Sequence, residues 1–215
     1  MPRYWHSWSN CAVIILSEDQ LDALVEIFNI SIGRAAAALS SIVNEEITLA
    51  VPSLQFLQAS EAGQRLGFDS HRIFGVVQDF DGPFQTEAIL MFPEDRSLEI
   101  VRMMLGESYS IDELSDLEQE AMAEIGNILL NACMGSIANL TNAHFDSTLP
   151  EVRLGFGDDL LRVKERCAND TVLLVYIDFI IATRTIQGYM AFLMDVPSIN
   201  GLIESVDRFI ESAAS

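Results

Sequence analysis

Residues 115–131, SDLEQEAMAEIGNILLN, decide how the chain is read, because a second copy lies upstream at 17–33, SEDQLDALVEIFNISIG. Ser17/Ser115, Glu26/Glu124, Asn29/Asn127 and Pro52/Pro150 are each 98 residues apart. Ala23/Ala121, Ile27/Ile125, Ile30/Ile128 and Asn44/Asn142 keep that register. This is an internal duplication. It retains a carboxylate and an amide at places where packing alone asks for neither.

Each copy opens as a helix. Ser17 with Gln20, and Ser115 with Glu118, have the spacing of a capping box, in which hydroxyl and acid or amide satisfy each other's free backbone N–H. In the first helix Leu21, Leu24, Val25, Phe28 and Ile32 form a broad apolar face, while Asp22, Glu26, Asn29 and Gly33 fall on one narrow strip. The second helix carries Glu120, Glu124, Asn127 and Asn131 on the matching strip. Gly33-Arg34 reads as a bend between two helical pieces. Residues 47–57 read as a strand, and Pro52 within it marks an edge or a bulge because proline cannot donate to a ladder.

Strands at 72–80 and 85–92 are joined through Asp81-Gly82-Pro83 as a hairpin, and a helix at 96–105 is closed by Gly106. The second copy repeats these as 147–156, 171–181, 184–194 and a helix at 198–212. There Ala191-Phe192-Leu193-Met194 echoes Ala88-Ile89-Leu90-Met91 at a spacing of 103, which implies about five residues added between 155 and 169. The expected fold is α+β: one domain over 1–215, with repeats at about 17–106 and 115–213 sharing one mostly antiparallel sheet flanked by helices. Residues 1–16 read as an arm packed on the body.

Composition narrows the partners. Twelve Lys+Arg stand against 32 Asp+Glu, a formal charge of −20. Such a surface repels polyphosphate, so neither nucleic acid nor an anionic membrane is expected as a partner. Cys11, Cys133 and Cys167 are odd in number and far apart, which suits a reducing compartment. His6, His71 and His144 show no metal-ligand spacing. The greasiest run, 172–182, contains Asp178 and is short of a membrane span. A soluble cytoplasmic protein is expected.

The chemistry lies in the strip. Glu at i and Asn at i+3 are neighbours on a helix, and asparagine is a mediocre helix former with little structural reason to stand there twice. Neither is a good nucleophile, and no base adjoins a Ser or Cys. An amide can, however, hold a water in line with phosphorus by accepting one of its hydrogen bonds, and positioning is most of what a protein contributes to phosphoryl hydrolysis. Nothing in the chain reads as a Mg²⁺ cage or P-loop, so metal and phosphoryl group would arrive with the substrate. Asp79/Asp81 and Asp158-Asp159 read as turn and cap residues, and Asn139 and Asn142 as residues of a helix end.

With these residues the chain resembles the CheC/CheX/FliY family of chemotaxis phosphatases, whose motif is Asp or Ser, three residues, Glu, two residues, Asn, 22 residues, Pro. Asp22, Glu26, Asn29 and Pro52 match it in full. Glu124, Asn127 and Pro150 match, with Glu120 in place of Asp or Ser. The second copy has the family's E-I-G-N-I, whereas Phe28 stands at the glycine of the first. Two motif copies and the chain length resemble the CheC branch.

The resemblance implies dephosphorylation of a CheY-type response regulator, with Asn29 and Asn127 orienting water. It implies that Glu26 and Glu124 bind the receiver's active-site lysine, with Asp22 and Glu120 supporting. It also implies that Mg²⁺ is carried by the phosphorylated receiver and that a CheD-type deamidase is a partner. The rival expectation is a non-catalytic interaction protein that binds a receiver, a deamidase or a flagellar component.

Overall fold

The first capping box forms as the spacing predicts. In the computed structural model the Gln20 N–H donates to Ser17 Oγ at 3.2 Å, and the Ser17 N–H to Gln20 Oε1 at 2.9 Å. The structure describes residues 16–43, 46–59, 61–62, 72–105, 111–161, 171–181 and 184–213. Most of the N-terminal arm, Gly106, Cys11, Cys167, His6 and His71 lie outside them.

In chain order the described elements begin with α1 (Glu18–Val43), β1 (Ile47–Gln58), β2 (Ile73–Asp81), β3 (Gln85–Pro93), α2 (Glu94–Leu105) and α3 (Ile111–Thr141). They continue with β4 (Asp146–Ser147), β5 (Glu151–Gly155), α4 (Gly157–Leu160), β6 (Thr171–Ile181), β7 (Arg184–Met194) and α5 (Val196–Ala213).

Two helical expectations are corrected. Helix α1 runs unbroken through Gly33, because Ile32, Ala35, Ala36 and Leu39 keep one face buried past the glycine. Helix α3 begins at Ile111, so Ser115 lies within the helix and not at its start. Glu118 instead accepts a hydrogen bond from Ser97 Oγ of α2 at 2.6 Å. Burial pushes the Glu118 carboxyl up, against the opposing effect of that bond. At its far end α3 stops on Asn142, whose φ of 51° is the left-handed conformation that asparagine tolerates. The Ala143 N–H bonds Ala138 O and the Asn142 N–H bonds Asn139 O, the paired closure of a Schellman motif.

The strands form one antiparallel sheet in the order β1-β6-β7-β3-β2, with β4 and β5 both on the outer edge of β2. Each copy's first strand thus pairs with the other copy's hairpin: β1 with β6, and β5 with β2. The register also corrects the strand echo. Leu54 pairs with Val175 and its counterpart Val152 with Val76, so β6 follows β2 at 175 − 76 = 99. Val76 pairs with Leu90 and Val175 with Met190, so β7 follows β3 at 190 − 90 = 100. The similarity at 103 is one of composition, since Ala88 faces the main core and Ala191 the opposite side of the sheet. A single added residue between the first and second strands, not five, separates the copies there.

The core lies between the sheet and the helices. Leu24, Phe28 and Ile32 of α1 and Met122, Ile125 and Leu129 of α3 pack with Val76, Leu90, Val175 and Phe192 of the sheet. Segments Glu18–Ile42 and Leu117–Thr141 are long and apolar enough to cross a membrane by length and composition, yet these faces lie against the sheet. The greasy run at 172–181 is explained by β6, which buries residues on both faces of the sheet.

Candidate functional site

The strip residues come to the surface as their spacing predicts. Asp22 and Glu26 on α1, and Glu120 and Glu124 on α3, are exposed, while Asn29 and Asn127 are half-buried at the inner margin of each strip. The helices meet beyond these pairs along a shallow groove lined by Ser31, Ala35, Asn131, Ala132 and Ser136, with Ser31 and Ser136 hydroxyls bonded across it.

Position 28/126 sets how closely each helix approaches the sheet. Phe28 points into the core, 1% exposed, with its ring 5.7 Å from that of Phe192. It does not crowd the strip. Its counterpart Gly126 leaves no room for a side chain: a Cβ there would stand 2.4 Å from Val76 Cγ1. Helix α3 therefore rests almost directly on β2, and α1 is held off by a phenyl ring.

The asparagines differ accordingly. In the first copy the pairing of β1 with β6 slips between Ala50 and Ser53, so Pro52 sits at a bulge on an edge strand, as expected of it. The slip turns Val51 toward α1. Asn29 clasps it from both sides: Oδ1 accepts from the Val51 N–H at 2.9 Å, and Nδ2 donates to Val51 O at 3.2 Å and to Val25 O at 3.0 Å. Both amide hydrogens are used, and one oxygen lone pair remains. The 22-residue spacing from Asn29 to Pro52 is thus the spacing of a helix-to-strand clasp. Asn29→Ala is expected to lower stability by about 1–3 kcal/mol, because it strands the Val51 N–H and C=O in a part-buried setting; urea unfolding measures this.

In the second copy no such clasp forms. The expected strand at 147–156 is two short ones, interrupted at 148–150, and Leu149, the counterpart of Val51, is 89% exposed. Asn127 is held by side chains instead. Its Oδ1 accepts from Asn131 Nδ2 at 2.9 Å and, more weakly, from Gln78 Nε2 at 3.4 Å. Gln78 Nε2 also donates to Thr148 O at 2.7 Å, and Asn131 Nδ2 to Gln78 Oε1 at 3.2 Å and Asn127 O at 2.7 Å. The Asn127 Nδ2 has no partner among the described residues. This reverses the polarity expected from the sequence: the carbonyl is occupied, and the NH₂ is offered. Gln78 was not among the candidates, although a lone amide at a core-facing position of IFGVVQDF is a visible signal.

The remaining candidates behave as structural residues. Asp158 and Asp159 lie in the first turn of α4, where the helix dipole favours acids. Cys133 is fully buried and burial pushes its thiol up, as for an inert core cysteine.

An α+β sheet with two long covering helices, each bearing an exposed Glu beside an inward Asn, is a duplicated helix-strip module. No family model matches the chain. It is 25% identical over 142 residues to the CheY-P phosphatase CheC of Bacillus subtilis, covering 65% of this chain and 68% of that protein. It is 25% identical over 158 residues to the flagellar motor switch phosphatase FliY of the same organism, covering 73% of this chain but only 40% of that protein.

Among solved structures, Thermotoga maritima FliY matches with a TM-score of 0.73 at 18% identity, over 91% of this chain and 99% of that one. The FliM middle domain from H. pylori matches with a TM-score of 0.61 at 16% identity, over 88% and 99%. The chain is thus similar in sequence to the CheC and FliY phosphatases, and it shares its fold with the FliY and FliM domains.

Proposed function

We propose that the chain is a chemotaxis phosphatase that hydrolyses the phospho-aspartate of a CheY-type receiver, with Glu124 and Asn127 of the second copy as its working pair. The observation that carries this is the NH₂ of half-buried Asn127, without a partner among the described residues, one turn from the exposed Glu124 carboxylate. Similarity to a CheY-P phosphatase supports a phosphorylated receiver as the substrate class.

One Asn127 N–H donates to the oxygen of a water and leaves that oxygen's other lone pair facing phosphorus. The second N–H reaches a phosphoryl oxygen, so one amide sets the distance and angle between the two reactants. The bond from water oxygen to phosphorus forms as the bond from phosphorus to the aspartyl oxygen breaks. That electron pair returns to the carboxylate, and a water proton leaves with the phosphate or to solvent. Glu124 pairs with the receiver's active-site lysine and Glu120 supports the docking. The Mg²⁺ that the receiver would carry would supply charge neutralisation at the phosphoryl group.

In the first copy Asp22 and Glu26 offer the same receiver contacts, but the Asn29 amide is committed to Val51. The setting is cytoplasmic, and a CheD-type deamidase is the further partner we propose. The test is isotopic. In ¹⁸O-enriched water, protein-dependent turnover should place label in the released phosphate and none in the receiver's aspartate carboxylate; label in the carboxylate would exclude the mechanism.

A second reading has its own support. The likeness to a FliM middle domain and the structural use of Asn29 are what a binding module built on this fold would also have. Such a module would bind a receiver or flagellar component without releasing phosphate.

A further inference from the structure

The geometry points to Gln78 and Asn131 as positioning residues that fix which end of the Asn127 amide is left without a partner among the described residues; its catalytic part rests on the phosphatase reading above. Gln78 is 1% exposed, placed between Val76 and Phe80 on the core face of β2. A buried amide must be paired, and here two backbone carbonyls dictate how. A carbonyl only accepts. Thr148 O therefore holds the Nε2 end of Gln78 and turns its Oε1 toward Asn131. Asn127 O holds the Nδ2 end of Asn131 and aims it at Asn127 Oδ1 as well. Gln78 and Asn131 are thus each oriented by a backbone carbonyl, and both present an N–H to Asn127 Oδ1, which leaves the Asn127 NH₂ as the end without a partner among the described residues.

The first copy lacks both supports. The counterpart of Asn131, 98 residues earlier, is Gly33. The counterpart of Gln78 by strand register, 99 residues later, is Ile177, buried in the core. Without side chains to orient it, Asn29 turns to the Val51 backbone. The amide relay is thus a property of the second copy, and it lies outside the Glu–Asn–Pro pattern.

Asn131→Asp tests this, because it keeps size while replacing the donor with an acceptor that repels both Asn127 oxygens. With a phosphorylated CheY-type receiver, kcat should fall roughly 10- to 100-fold, the scale of a small misplacement at a reacting centre, with KM within about twofold, since Glu124 docking is untouched. A readout independent of activity accompanies it. The Asn127 side-chain NH₂ signals, identified by their loss in Asn127→Ala, should exchange rapidly with solvent in the unaltered protein and slow in Asn131→Asp.

Should thermal melting show the acidic variant unfolded, Asn131→Gly, which copies position 33, and Gln78→Met replace it with the same expected fall in kcat. A folded variant with both kcat and exchange unchanged overturns the inference. Altered exchange in a protein that never released phosphate would uphold the positioning and overturn the phosphatase reading.

Discussion

Asn127→Ala is expected to slow dephosphorylation of a saturating receiver by roughly 10²–10³-fold, the usual cost of removing one preorganised donor at a reacting centre. The melting temperature should hardly move. Truncation leaves Asn131 Nδ2 bonded to the Asn127 carbonyl and Gln78 bonded to Thr148, so no buried group is orphaned. Asn29→Ala should behave in the opposite way, losing stability through the Val51 clasp while most of the rate survives. Phosphate release and urea unfolding on both variants give the comparison. A rate collapse confined to Asn29→Ala, with stability intact, would reverse the ranking of the two copies.

Gly126→Ala should lower stability and turnover together. The added Cβ would lie 2.4 Å from Val76 Cγ1 and 2.7 Å from Val76 Cβ, against a residue that is fully buried and cannot swing away. Overpacking of this kind costs about 1–3 kcal/mol, which more than offsets the ~1 kcal/mol that alanine gains over glycine in a helix. The functional cost follows from the same displacement. Lifting α3 off β2 pulls Asn127 away from Gln78, whose Nε2 is already 3.4 Å from Oδ1, and the relay loosens. Thermal unfolding and turnover should therefore fall together. A Gly126→Ala protein with unchanged melting and rate would mean that α3 does not rest on Val76 as described.

Much of this was legible in the sequence because two periodicities were strong. The 98-residue register and the 3.6-residue apolar face placed both long helices, their exposed acids and the proline at an edge bulge. The strand pairs followed from alternation and from Asp81-Gly82-Pro83. What failed did so for physical reasons. Ser115 matched a capping spacing, yet the residues before it continue the helix, and Glu118 was claimed by Ser97 on a neighbouring helix. The Ala88/Ala191 echo followed residue types and so missed that a shift of three reverses the face of a strand.

The polarity of Asn127 was out of reach for another reason. It depends on Thr148 and Gln78, residues separated by 70 positions, and no local pattern reports which end of an amide such a partner will take. Phe28, at the glycine position of the first motif, turns into the core, a direction that could not be read without the sheet beneath it.

The central claim is that this chain turns over an acyl phosphate on a receiver and does not merely hold it. Its most direct test is the single-turnover decay of a phosphorylated CheY-type receiver, measured at increasing excess of the protein. The account predicts a decay constant that climbs to a plateau well above the spontaneous rate, and that stays near the spontaneous rate at every concentration with Asn127→Ala. Saturable binding with decay flat at the spontaneous rate would contradict it.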